Sequence, residues 1–284
     1  MIIFSMIVSA QYRIPNDAQA QLITQSSSLN EAKLIANNTC NVFVFKDNVF
    51  FSISGLLQDS TTVYGCPNLK PIQQLIVLKD HVVMLQGKRI ISITTDSGHI
   101  NAKKKTTVLS KLKTTDVSIF PGMSEDHFFI ITHKFNNRNK REISVVQSYT
   151  LGKRTSEPMF EVDGRVNWIS GNQSSLCLAV GKELILVNDK KEYILASEDS
   201  EITCVVTTPI GIFFSTYSNV YFMLTSGEKI VIVEKGAYQL IDNCNTLYMI
   251  LTDGSLIRIH NTLAFAEFYN HFKQSNNEKG KSNH

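Results

Sequence analysis

Apolar residues in this chain fall in short runs, among them VFFS, VVMLQ, FFIIT, LCLAV, IFFST and LYMIL, closed off by Gly, Asn, Asp or polar pairs. Runs of this length between turn residues predict β-strands, and helical periodicity is scarce. The runs recur as the second strand of a repeating unit, beginning at Val49, Val82, Phe128, Leu176, Ile212 and Leu247, with spacings of 33, 46, 48, 36 and 35 residues. The two long intervals hold polar insertions, Ser97–Lys105 and Lys134–Glu142. A candidate first strand precedes each second strand: Asn41–Phe45, Ile72–Leu78, Asp116–Phe120, Val166–Ser170, Ile202–Val206 and Tyr238–Asp242. Third strands are clearest at Glu183–Val187, Val220–Leu224 and Ser255–Ile259, and fourth strands at Lys191–Ser197 and Lys229–Lys235.

Four short strands about every 40 residues predict an all-β fold, a β-propeller of six four-stranded blades, with seven as the alternative count. A second strand near the interior is buried on both faces, which explains continuous apolar runs where a half-exposed strand would alternate. The expected organisation is an N-terminal arm over residues 1–37, a propeller over 38–262, and a short helix with a polar tail over 263–284. The arm reads as loose chain or a short helix, and it is also placed to close the ring by supplying an outer strand. In the helix, Leu263, Ala266 and Tyr269 fall on one face.

Length and charge narrow the functional classes. The 284 residues carry 28 basic and 25 acidic side chains, a balance that does not read as a nucleic-acid domain. No apolar run approaches the ~18 residues of a membrane span. The five cysteines, Cys40, Cys66, Cys177, Cys204 and Cys244, form no CxxC and no Cys-His spacing. Buried free thiols are the expectation, with a Cys40–Cys66 disulfide as the alternative, which needs an oxidising compartment. The apolar start, MIIFSMIVSA, resembles the end of a signal peptide but has no basic region before it. Two Asn-x-Ser/Thr motifs, at Asn37 and Asn172, matter only in a secreted chain.

Lys70–Leu85 (KPIQQLIVLKDHVVML) followed by Gly87–Ile93 resembles the hallmark stretch of citron-homology (CNH) propellers. Val166–Asn188 resembles a second stretch of that family, with Trp168, Leu176, Cys177, Lys182 and Leu186 in matching places. The form it is most similar to is the N-terminal propeller of HOPS/CORVET vesicle-tethering subunits, where a helix like Leu263–Phe272 leads toward an α-solenoid. That resemblance implies a non-enzymatic interaction platform for vesicle-mediated protein transport. It would be cytoplasmic and peripheral on endosome, lysosome or vacuole membranes, with a Rab-type small GTPase or other tethering subunits as partners. It implies no cofactor, no small-molecule substrate and no nucleic acid.

Motif chemistry is sparse. The seven histidines, at 81, 99, 127, 133, 260, 271 and 284, make no HxH or HExxH, and GxSxG and phosphate-binding loops are absent. His81 and His127 share the position just before a second strand and read as turn residues. Catalytic, cofactor-binding and metal-ligating candidates are therefore none. The candidate contact residues are the basic insertions: Lys103, Lys104 and Lys105 in one, and Lys134, Arg138, Lys140 and Arg141 in the other, which would meet an acidic protein patch or an anionic membrane. Both follow a second or third strand of consecutive blades, so a combined patch is expected. The alternative reading is a secreted or periplasmic propeller that binds a ligand or acts as a hydrolase.

Overall fold

The computed structural model describes residues 13–25, 32–36, 42–46, 49–52, 63–65, 72–78, 81–94, 106–137, 140–171, 175–189, 191–224 and 228–270. Strand β1 (Gln19–Gln25) is followed by a sheet of β2 (Lys33–Ala36), β3 (Val42–Lys46), β4 (Val49–Ser52) and β5 (Val63–Gly65). The second blade is β6 (Gln74–Leu78), β7 (His81–Gln86), β8 (Arg89–Thr94) and β9 (Thr106–Lys111). The third is β10 (Val117–Pro121), β11 (His127–Asn136), β12 (Arg141–Thr150) and β13 (Glu157–Asp163). The fourth is β14 (Val166–Gly171), β15 (Leu176–Val180), β16 (Glu183–Asn188) and β17 (Lys191–Ser197). The fifth is β18 (Ile202–Thr208), β19 (Gly211–Thr216), β20 (Val220–Met223) and β21 (Lys229–Val233). Then come β22 (Ala237–Asn243), β23 (Thr246–Leu251) and β24 (Ser255–His260), whose sheet is completed by β1. All strand pairs are antiparallel meanders, and the first strands β2, β6, β10, β14, β18 and β22 touch one another in cyclic order around an axis.

The expectation of six or seven blades is corrected. Five blades are built from four consecutive strands. The remaining sheet is a composite of three C-terminal strands and β1, and no seventh sheet occurs among the described residues. The closure is an antiparallel pairing from Gln19↔His260 to Gln25↔Ser255, and Arg258 Nε donates to Gln21 Oε1 at 2.8 Å. The first blade also differs from expectation by one strand. Its first strand is Lys33–Ala36, so Asn41–Phe45 supplies its second and Val49 opens its third. Both β1 and β2 lie in the stretch read as an arm.

Burial follows the propeller logic. β15, β19 and β23 are buried at every residue, as second strands packed between neighbouring blades must be. Phe213, Phe214, Phe222, Met249 and Leu247 have no exposed surface. The C-terminal helix, residues 264–270, seats Phe265 against Phe213 and Phe222 with ring centroids 5.2 and 5.5 Å apart. Tyr269 donates its hydroxyl to Glu228 O at 2.7 Å. Its buried pair is thus Phe265 and Tyr269, one turn apart, whereas Leu263 is 44% exposed.

The first strands run in one direction. Asn167 Nδ2 donates to Ile202 O (3.1 Å) and Thr203 Oγ1 to Ala237 O (2.6 Å) where they begin, and Ser170 meets Thr207 (3.1 Å) further on. The disc therefore has a start face, where first strands begin and second strands end, and an end face opposite.

Candidate functional site

The channel between the first strands widens into a cavity of about 450 Å³. All six first strands supply wall residues, and the loop 122–125 borders it at the end face. The polar wall is mostly committed to holding neighbouring blades together. Gln239 Oε1 accepts from Leu34 N–H (2.8 Å) while its Nε2 donates to Leu34 O (2.9 Å), joining the composite sheet to the first blade. Gln74 Oε1 accepts from Ile119 N–H at 2.7 Å, and Ser170 Oγ from Thr207 N–H at 3.0 Å. Asp242 accepts from the Thr262 hydroxyl at 3.2 Å, and burial raises its carboxyl pKa. Lys33 is different. Water reaches its side chain, yet protein surrounds it closely enough for desolvation to lower the ammonium from its ordinary 10.5, and among the described residues no hydrogen bond or ion pair holds it.

A second polar cluster sits at the start face between the third and fourth blades. His133 Nδ1 lies 3.0 Å from Ser144 Oγ, which donates to Gly164 O (2.8 Å) and accepts from Val166 N–H (2.9 Å). The pair has the composition of a nucleophile and its base. But Ser144 has no exposed surface and its oxygen is saturated by backbone partners, so it ties one blade to the next and has no route to a substrate. Arg165 closes the same seam, reaching Asp116 at 2.9 Å and Glu142 at 2.8 Å. Its hydrogen bond holds the Asp116 carboxyl below the usual range. No group of three or more His, Cys, Asp or Glu able to hold a metal occurs among the described residues.

The insertion at Lys134–Glu142 is a strand ribbon. β10 pairs with β11 only as far as Thr132; beyond it Lys134, Phe135 and Asn136 pair with Ile143, Glu142 and Arg141, whose outer side meets Asp163 and, at 2.7 Å, the Gly164 N–H. The β11 edge runs about 10 Å past the end of β10 to Phe135. Phe135 is 63% exposed on it. Of the basic residues expected there, Lys134 and Lys140 are exposed, Arg141 pairs with Asp163 at 3.3 Å, and Arg138 lies outside the described residues. Lys103, Lys104 and Lys105 also lie outside them. The strands flanking that insertion, β8 and β9, meet at the end face, whereas the ribbon rises from the start face, so the anchors of the two insertions are on opposite sides. Sequence reasoning missed a second start-face feature: Tyr217 and Tyr238, exposed and edge-to-face with centroids 6.5 Å apart. They come from different blades, and no local pattern joins them.

The cysteines divide. Cys177 and Cys204 are free and buried, and desolvation pushes both thiols up to about 12, which leaves them unreactive. Cys244, in the turn from β22 to β23, is disulfide-bonded, which corrects the expectation of free thiols throughout. The Cys40–Cys66 pairing and both Asn-x-Ser/Thr motifs fall outside the described residues.

No family model matches the chain, and no curated protein does. Solved structures match its fold. The calcium-binding protein regucalcin of Agrobacterium tumefaciens is 11% identical with a TM-score of 0.62, covering 84% of this chain and 92% of its own. Virginiamycin B lyase of Staphylococcus aureus is 10% identical with a TM-score of 0.54, covering 86% and 99%. The CNH domain of AfRom2 is 11% identical with a TM-score of 0.48, covering 86% and 89%. At these identities the likeness is one of propeller fold alone.

Proposed function

We propose that this chain is a non-enzymatic propeller that docks a protein partner on its start face, in an oxidising compartment outside the cytosol. The ribbon carries this reading. It carries an exposed phenylalanine about 10 Å past the end of β10, near the cations Lys134 and Lys140, which have no ion pair among the described residues, while Tyr217 and Tyr238 offer aromatic surface elsewhere on the same face. Exposed aromatics ringed by charge are the usual makings of a binding hot spot, and the cations favour an acidic partner. The Cys244 disulfide supports the compartment, as do the signal-like composition of residues 1–10 and the two glycosylation motifs.

The narrower reading, vesicle tethering through a Rab-type small GTPase, rests on the resemblance of Lys70–Leu85 and Val166–Asn188 to CNH propellers. A cytosolic site would keep Cys244 reduced, so the disulfide weighs against it. The test is affinity capture on immobilised wild-type protein and on a ribbon variant, K134E/F135A/K140E, from the extracytoplasmic fraction of the source cells and from GTP-loaded Rab proteins. An extracytoplasmic protein retained by the wild type and lost by the variant is expected. Selective retention of a GTP-loaded Rab would move the protein to the cytosol, and equal retention by both baits would overturn the ribbon as the docking site.

A further inference from the structure

The central cavity has a use that the docking face does not explain. Its polar groups with known contacts, Gln74, Gln239, Ser170 and Asp242, are taken up by backbone or hydroxyl partners of their own propeller. Lys33 is the exception: a cation in the wall with no carboxylate on it among the described residues, although Asp242 and Glu125 belong to the same wall. The rest of the wall mixes polar residues with apolar ones, among them Ile76, Val206, Met123 and the half-buried ring of Trp168 on the blade across the channel. A cavity of 300–1,000 Å³, apolar but for a few placed polar groups, is the usual form of a small-molecule site. Lys33 keeps water on its side chain, but the wall crowds its ammonium without supplying a counter-charge among the described residues, so an anion entering the cavity meets a free cation.

We propose that the cavity binds a small organic anion, its acidic head on Lys33 Nζ and its apolar body against Trp168. The head supplies the counter-charge that the protein withholds from Lys33, and the body covers apolar wall. Asp242 is engaged elsewhere, accepting from the Thr262 hydroxyl at 3.2 Å. Glu125 lies exposed in the loop at the end face, where water screens it. Binding here involves no bond making, and it is independent of the ribbon, which rises from the other face.

Trp168 is the chain's single tryptophan, so its emission reports on the cavity alone. The full-length protein is titrated with 4-phenylbutyrate and with its neutral amide, 4-phenylbutyramide, following Trp168 emission and heat of binding. Saturable binding of the acid is expected, about tenfold or more tighter than the amide, the usual worth of a charge-assisted hydrogen bond. Lys33→Met should bring acid and amide to equal affinity, and Lys33→Arg should keep the preference, with thermal melts showing that both variants fold. Equal binding of acid and amide by the wild type, no saturable binding of the acid, or an undiminished preference in Lys33→Met would each overturn the proposal.

Discussion

Gly236 has no room for a side chain. A Cβ there would lie 2.2 Å from Thr216 O and from the Tyr217 carbonyl carbon, backbone atoms that cannot swing aside. The glycine lets the chain enter the composite sheet directly beneath the fifth blade's start-face turn. Gly236→Ala should therefore destabilise the fold by roughly 3 kcal/mol, measured by urea denaturation, and should disturb the Tyr217–Tyr238 contact. A loss under about 1 kcal/mol would mean that the seam yields. Three histidines set a pH dependence. Desolvation lowers the pKa of His127, His133 and His260 from the ordinary 6.5, so the native state holds them neutral. The unfolded chain then binds protons first on acidification. The stability these neutral imidazoles contribute is complete above pH 6.5 and declines as pH falls below it toward each folded value. Asp242, with its raised pKa, works in the opposite direction. Three groups outweigh one, so denaturation midpoints should be level from pH 8 to 7 and fall between 6.5 and 5. A midpoint that rises over that interval would contradict the assignment.

The least legible element was β1. Its sequence, QAQLITQ, has a burial pattern without strict alternation, because an outermost strand is covered on neither face completely. β2 has only four residues, too few to show a period. Reading both as an arm shifted the first blade by one strand, while the third to fifth blades were readable because continuous runs such as FFIIT and LCLAV have no other environment that suits them. The ribbon was visible only as charge. Its strand character became plain from the pairing of Lys134–Asn136 with Arg141–Ile143, which composition does not encode. In the helix, spacing proposed Leu263, but the fifth blade presents Phe213 and Phe222 to Phe265. β1 also makes a direct prediction. Removing residues 1–25 strips six paired positions from β24 and opens an edge. At roughly 0.5–1.5 kcal/mol per lost hydrogen bond, the truncated chain should lose several kcal/mol and self-associate at micromolar concentration, seen by light scattering. A truncated chain that melts like the full one would show that the closure is dispensable.

At the scale of the whole molecule, the ring creates what no segment contains. The cavity wall draws on residues from Lys33 to Asn243 on six first strands, and the start face gathers Phe135, Tyr217 and Tyr238 from three separate blades. Neither site leaves a motif, so a motif search passes over both. The two proposed roles fall on separate faces: protein docking at the ribbon, and an anion site bordered by the opposite face. The measurement that bears most directly on the docking claim is the affinity of the captured partner for wild-type protein and for K134E/F135A/K140E, at 50 and 300 mM salt. The account predicts at least about tenfold weaker binding by the variant at low salt, since an anchoring aromatic and two cations are lost. It also predicts a shallower salt dependence, because fewer charges meet across the interface. Equal affinities with equal salt dependence would contradict it.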